Sequence, residues 1–155
     1  ISLIAEALSR IAGDARQSNQ GTNLTAAAAT LRGLGLREGM VVVISDFFDQ
    51  AGTEQIVAEL KRLRHRPLLV AITRKEDRSP ILRGDLRVRD CESGRTEDVS
   101  IDEAVLQRYR AAHDRHFDAL RQFVQKRKGG WLEIDADEDV MDQLASLFEG
   151  GRFVA

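Results

Sequence analysis

The sequence predicts an α/β fold with a mainly parallel sheet, and three observations carry that prediction. Residues 40–44 form an unbroken apolar run rather than an alternating one, the pattern of a strand buried on both faces of a parallel sheet. A helical pattern over 53–64 and a second apolar run over 68–73 follow. Strand, helix and strand in that order make a βαβ unit, which crosses over right-handed. A third apolar run, 131–134, comes after a long amphipathic stretch, so helical sequence separates the predicted core strands. The expected architecture has three layers, with helices on both faces of the sheet and a β-hairpin inserted over about residues 83–100.

Each element has its own signal. Leu3, Ile4, Leu8, Ile11 and Ala12 recur at helical spacing and Gly13 closes them; residues 14–21 are polar and read as a loop. Residues 23–34 hold the helix formers Ala26 to Ala29 and Leu31, ended by Gly33 and Gly35. In 53–64, Ile56, Val57, Leu60 and Leu63 share a face, and Pro67 stops that helix. Residues 86–90 and 96–100 flank Glu92-Ser93-Gly94 as a hairpin. Asp102 is placed to cap a helix running to about Lys128, with Leu106, Tyr109, His113, Phe117, Leu120 and Val124 in one stripe. Gly129-Gly130 ends it, and 140–148 forms the closing helix. No repeat, low-complexity tract or Pro-rich linker divides the chain, so residues 1–155 read as one domain.

Composition narrows the function. With 23 Lys+Arg against 25 Asp+Glu the formal net charge is -2, which gives no support to nucleic-acid binding, where a basic excess is expected. Hydrophobic residues at 43% and charged residues at 31% argue for a folded domain. No apolar run approaches the ~20 residues of a membrane span, and no signal peptide is predicted. A single cysteine, Cys91, excludes an internal disulfide and fits a reducing, cytoplasmic setting. The chain starts at Ile1 without methionine, and a fragment is expected.

Chemistry is sought outside the carboxyl ends of the strands, where open parallel sheets bind ligands. Ser45-Asp46-Phe47-Phe48-Asp49 follows the first predicted strand directly. Upstream, Gly21-Thr22-Asn23 opens the Ala-rich helix and brings a hydroxyl to set beside the Asp46 carboxylate. Hydroxyl and carboxylate are hard oxygen ligands of the kind Mg²⁺ takes while keeping several waters. The plainer role for Thr22, Asn23, Asp46 and Asp49 is helix capping. Both roles stay open at this point.

The pairing of GTNL at Gly21 to Leu24 with VVVISDF at Val41 to Phe47 resembles the second half of a von Willebrand factor A domain. The Ile-Ser-Asp-Phe strand end, the hairpin LRVRDCESG from Leu86 to Gly94, Tyr109 early in the long helix and a late Asp-containing turn resemble more specifically the bacterial group called domain of unknown function fifty-eight. That resemblance implies a metal-ion-dependent adhesion site with Mg²⁺ or Mn²⁺, in which Thr22 and Asp46 are ligands and Gly21, Asn23, Ser45 and Asp49 are neighbours. It implies a non-catalytic, cation-dependent protein-interaction module working with a MoxR-type AAA+ ATPase. The family's DxSxS loop is absent from this sequence, so the chain reads as the carboxyl-terminal part of such a domain, with an incomplete site. Where the family often has Asp-Pro, this chain has Arg74-Lys75. In the A-domain strand order the missing first strand would lie against the strand from Met40 to Ile44. That strand is then an open hydrophobic edge through which the chain is expected to self-associate.

Other signals are weaker. His113 and His116 stand at i, i+3, but His113 falls in the apolar stripe and no third zinc ligand accompanies them. Arg83-Gly84-Asp85 is a chance tripeptide, Gly33-Leu34-Gly35 precedes a strand instead of following one, and Cys91 has no evident base. The basic run from Lys61 to Arg66 reads as a solvated helix end. Residues 135–139 favour the next helix's amino terminus, or add charge at the same rim. The rival function is a metal-dependent hydrolase or phosphoryl-transfer domain using Asp46 and Asp49, for which no positioned base is evident.

Overall fold

The computed structural model describes residues 23–90 and 94–149. Gly21, Thr22, Cys91 and the helix predicted over residues 1–13 lie outside them. In order come α1 (Leu24–Gly33), β1 (Met40–Ser45), α2 (Gly52–Lys61), β2 (Arg66–Thr73), α3 (Lys75–Arg78), β3 (Gly84–Arg89), β4 (Thr96–Ile101), α4 (Glu103–Lys126), β5 (Gly130–Asp135) and α5 (Val140–Glu149). The fold is mixed α/β. A three-stranded parallel sheet runs β1-β2-β5, and β3 and β4 form a separate antiparallel pair. The register sets Met40 beside Arg66 and Ser45 beside Ala71, then Leu68 beside Gly130 and Thr73 beside Asp135. The three parallel strands therefore open on one common rim.

The main core lies on one face of that sheet. Ala28 of α1, Ile56 and Leu60 of α2, and Phe117, Leu120 and Val124 of α4 pack with Leu69 and Ala71 of β2. Burial of this order, about 25 cal/mol per Å² of apolar surface, is the main force holding the helices down. On the opposite face Val70, Leu132 and Ile134 pack with Leu144 of α5.

The central strand β2 is buried on both faces, with Leu69, Val70 and Ala71 all at or below 6% exposure, as its apolar run requires. β1 differs from its prediction. Val41 and Val43 pack inward, but Met40, Val42 and Ile44 stay 62%, 50% and 63% exposed. The reason is position: β1 pairs with β2 alone among the described residues, and none of their helices covers its outer face. Its far backbone edge is unpaired among the same residues, as expected for an edge strand.

Local signals acted largely as read. Asn23 caps α1 by accepting from the Ala26 N–H at 2.7 Å, and Asp102 caps α4 by accepting from the Val105 N–H at 2.7 Å. The end of α4 has an unexpected distribution of roles. The Lys128 N–H donates to the Gln125 carbonyl and the Gly129 N–H to the Val124 carbonyl, a Schellman closure. Its left-handed residue is Lys128, at φ 51°, a place usually given to glycine. Gly129 serves close approach, because a Cβ there would sit 2.2 Å from the Pro67 carbonyl oxygen. The one-turn helix α3 carried no sequence signal. Among the described residues no helix is long and apolar enough to cross a membrane.

Candidate functional site

The segment after β1 turns on Phe47. Its φ of 61° is in the left-handed region, which non-glycine residues enter at a cost of about 1–2 kcal/mol. Complete burial of its ring, at 0% exposure and 6.1 Å from Trp131, offsets that cost. With Phe47 anchored inward, Asp46 and Phe48 are carried outward at the rim. The Ser45 hydroxyl accepts from the Phe47 N–H at 3.0 Å, and Asp46 Oδ1 accepts from the Phe48 N–H at 3.1 Å. Asp46 Oδ2 has no protein partner among the described residues.

Asp49 is committed differently. One oxygen accepts from the Leu24 N–H at 2.6 Å and the other from the Ala51 N–H at 2.8 Å. The first bond satisfies an orphan donor of α1's opening turn and ties the start of α1 to the rim loop, 25 residues away in sequence. Asn23 is thus a cap, the plainer of the two roles open in the sequence, whereas α2 starts at Ala51 without a side-chain cap and Asp49 binds the Leu24 and Ala51 N–H groups instead. Asp46 caps no helix among the described ones.

Beside Asp46 opens a cleft of about 390 Å³ whose walls include Phe48, Asp49, Thr53, Asp90 and His116. Thr53 Oγ1 lies 2.5 Å from His116 Nδ1, and the Phe48 ring stacks on His116 at 5.3 Å and 14°. Phe117 supports both rings from beneath, edge-on to each, at 5.9 Å from Phe48 and 5.0 Å from His116. Burial holds the His116 imidazole below its usual 6.5, and neighbouring His113 acts in the same direction; the Phe47 backbone and the Asp46 carboxylate oppose them. A histidine that resists protonation when folded leaves the unfolded chain binding more protons as pH falls from about 6.5. Stability is expected to be level above neutrality and to decline as pH drops through the folded-state pKa. Urea unfolding at stepped pH checks this, and His116→Gln is expected to flatten the decline.

At the far side of the rim, Lys75 pairs with Glu138 at 2.8 Å and Asp135 at 3.6 Å, while Arg74 pairs with Asp137 at 3.3 Å. Arg74-Lys75, the departure from the resembling family, supplies the counterions for this acidic turn. Glu138 and then Asp135 hold the Lys75 ammonium above its usual range. Asp139 accepts from the Met141 and Asp142 N–H groups at 2.8 and 3.1 Å, starting α5.

Magnesium needs several hard oxygen ligands, and Asp46 Oδ2 accepts no hydrogen bond among the described residues. Both Asp49 oxygens are used by backbone donors. Among the described residues no group of three or more His, Cys, Asp or Glu is arranged around a common metal position.

The family described as "Protein of unknown function DUF58" matches residues 2–119. The chain belongs to that family. No curated protein matches. Among solved structures, the conserved hypothetical protein BatB from Bacteroides thetaiotaomicron is 17% identical at a TM-score of 0.39; the match covers 87% of this chain and 60% of BatB. An uncharacterised membrane-spanning protein from Vibrio fischeri is 16% identical at a TM-score of 0.33, with 83% of this chain and 52% of that one covered. This DUF58 chain thus spans little more than half the length of these neighbours, and likeness at this level determines neither its fold nor its function.

In the DUF58 chain, then, Ser45, Asp46 and Asp49 share the rim loop, Asn23 is turned to its own helix with only the Leu24 N–H tying that helix to Asp49, and Thr53, Asp90 and His116 line the cleft beside Asp46. Asp90 arrives from the end of β3 and His116 from the middle of α4. The one sequence hint was the adjacency of His116 to the stripe residue Phe117, which places His116 at the margin of the buried face.

Proposed function

We propose that the β1 rim is a cation-dependent protein-recognition site in a von Willebrand factor A-like, three-layer domain. The observation that supports it is Asp46: an exposed carboxylate at a parallel-sheet rim, held by the Ser45-Phe47 turn with one oxygen left open. Mg²⁺ or Mn²⁺ held there by Asp46, Thr22 and the resembling family's DxSxS loop would keep a coordination position for an acidic residue of the partner. Ser45 and Asn23 shape the loops, and Asp49 locks the two together. A MoxR-type AAA+ ATPase is the partner that the resemblance favours. Asp46→Ala in the full-length protein is expected to abolish Mg²⁺-dependent co-purification of that ATPase with the melting temperature preserved. Retention unaffected by either the substitution or a chelator would refute it.

The open edge of β1 belongs to the same reading. Its apolar side chains and unpaired backbone groups invite another strand, from the same polypeptide or from a second copy. Sedimentation at rising concentration is expected to show self-association of the 155-residue chain, and a strict monomer would count against it.

A hydrolase using Asp46 and Asp49 is less well supported, since both Asp49 oxygens already accept backbone hydrogen bonds. Thr53 and His116 have nucleophile-to-base proximity, but no carboxylate among the described residues is hydrogen-bonded to His116 to orient it as a base.

A further inference from the structure

The end of the sheet opposite the Asp46 rim carries the reverse charge. The run from Lys61 to Arg66 and the segment from Lys126 to Lys128 converge there on a cleft of about 640 Å³, with Glu38 the one carboxylate among the described residues that line it. Two of these cations serve the fold, since Arg66 donates to the Lys128 carbonyl and Arg127 to the Leu63 carbonyl. Arg62 pairs with Glu59. Lys61, Arg64, Lys126 and Lys128 are exposed and have no carboxylate partner among the described residues. Cations at a helix carboxyl end complement its dipole within the last turn, which accounts for Lys61 and Lys126 but not for Arg64 or Lys128.

A second cleft shares Arg62, Leu63 and Arg64 with the first and continues onto the α1–β1 loop, where Gly35 and Leu36 line it. That loop turns at Gly35, φ 60°, and holds out Leu34 and Leu36 at 63% and 57% exposure. Two bare leucines on a loop tip, bordered by unpaired cations, have a common use. The leucines gain by leaving water for an apolar medium, while the cations gain from surface phosphates.

We infer that this end of the molecule docks on an anionic lipid surface, with Leu34 and Leu36 entering the headgroup boundary and Lys61, Arg64, Lys126 and Lys128 on the phosphates. The inference is independent of the proposed cation site. Nucleic acid fits less well: neither cleft has a Phe, Tyr or Trp in its lining for base stacking, and phosphates give exposed leucines nothing. A fluid surface also asks no fixed shape of long, unpaired side chains. The chain's net charge of -2 keeps long-range attraction small, so contact depends on this patch. Docking there turns the acidic Asp46 rim away from the lipid.

Co-sedimentation of the 155-residue chain with vesicles tests this. Binding is expected when about a third of the phosphatidylcholine is replaced by phosphatidylglycerol, and not to pure phosphatidylcholine. Replacing Lys61, Arg64, Lys126 and Lys128 by Gln is expected to weaken binding at least tenfold. Leu34→Ser with Leu36→Ser, at unchanged charge, is expected to weaken it about tenfold while leaving retention on heparin unchanged. All six positions are exposed, so the fold should survive, as circular dichroism will show. Absence of binding, equal binding to neutral vesicles, or indifference to the leucine change overturns the proposal. Tighter, leucine-independent binding to duplex DNA overturns it in favour of a nucleic acid.

Discussion

Phe117→Ala is expected to cost about 3–5 kcal/mol of folding stability, the largest loss from any single truncation near the site. Phe117 is 1% exposed. Its ring contacts those of Phe48, His113, His116 and Trp131 at centroid distances between 4.7 and 5.9 Å. Edge-to-face pairs of this kind add about 0.5–1.5 kcal/mol beyond area burial, so truncation loses both transfer energy and ring geometry. Against a typical domain stability of about 5–15 kcal/mol the loss is severe. In a domain of this size it lowers the melting temperature by about 6–20 °C. The effect reaches the rim as well, since Phe48 and His116 lose the ring beneath them. Urea unfolding gives the energy. Phe117→Leu, which fills most of the volume, is expected to cost less than half as much, and equal losses from the two variants would exclude the packing explanation.

Gly129→Ala is expected to be the most damaging one-carbon addition. The new Cβ would stand 2.2 Å from the Pro67 carbonyl oxygen, 2.9 Å from Pro67 Cγ and 3.0 Å from Val124 Cγ1. The first of these is backbone, on the buried β2–β5 seam, where Leu68 faces Gly130. A side-chain rotation cannot relieve it; either β5 moves away from β2 or the Schellman closure of α4 opens. Overpacking of this sort costs about 1–3 kcal/mol and occasionally more, and the upper part of that range is expected. Gly33→Ala is the control. A Cβ there meets nothing within 4 Å, so alanine at that helical position is expected to be neutral or stabilising by about 0.5–1 kcal/mol. Equal melting temperatures for the Gly129→Ala variant and the native protein would mean that the seam is looser than the geometry requires.

Local structure was legible where local chemistry determines it. Asp102 and Asn23 are short polar side chains ahead of apolar periodicity, and each caps the helix it precedes. The stripe from Leu106 to Val124 buries as its spacing demands, His113 included, except at Tyr109, which stays 40% exposed. Burial of β1 was not legible. An apolar run reports what a strand is able to bury, whereas the cover over Met40, Val42 and Ile44 depends on neighbours that the run does not encode. The helix-ending glycines were read correctly as an end, but Lys128 takes the left-handed position because Gly129 is reserved for contact with Pro67.

Half of the candidate site was legible for the same reason. Ser45, Asp46 and Asp49 follow a strand directly, so the rim rule alone locates them. Thr53 and His116 meet across 63 residues, and only the packing of α4 against α2 makes them neighbours. The basic end shows the same limit. The run from Lys61 to Arg66 reads as a solvated helix end by itself, and gains meaning only when the fold sets the segment from Lys126 to Lys128 beside it.

Calorimetric titration of Mg²⁺ into the full-length protein and its Asp46→Ala variant decides whether the β1 rim holds a cation. The native protein is expected to bind one ion saturably, and the variant to bind at least about tenfold more weakly with its fold intact, as loss of a carboxylate ligand requires. Indistinguishable titrations of the two proteins, or no binding by the native protein, would contradict the assignment of Asp46.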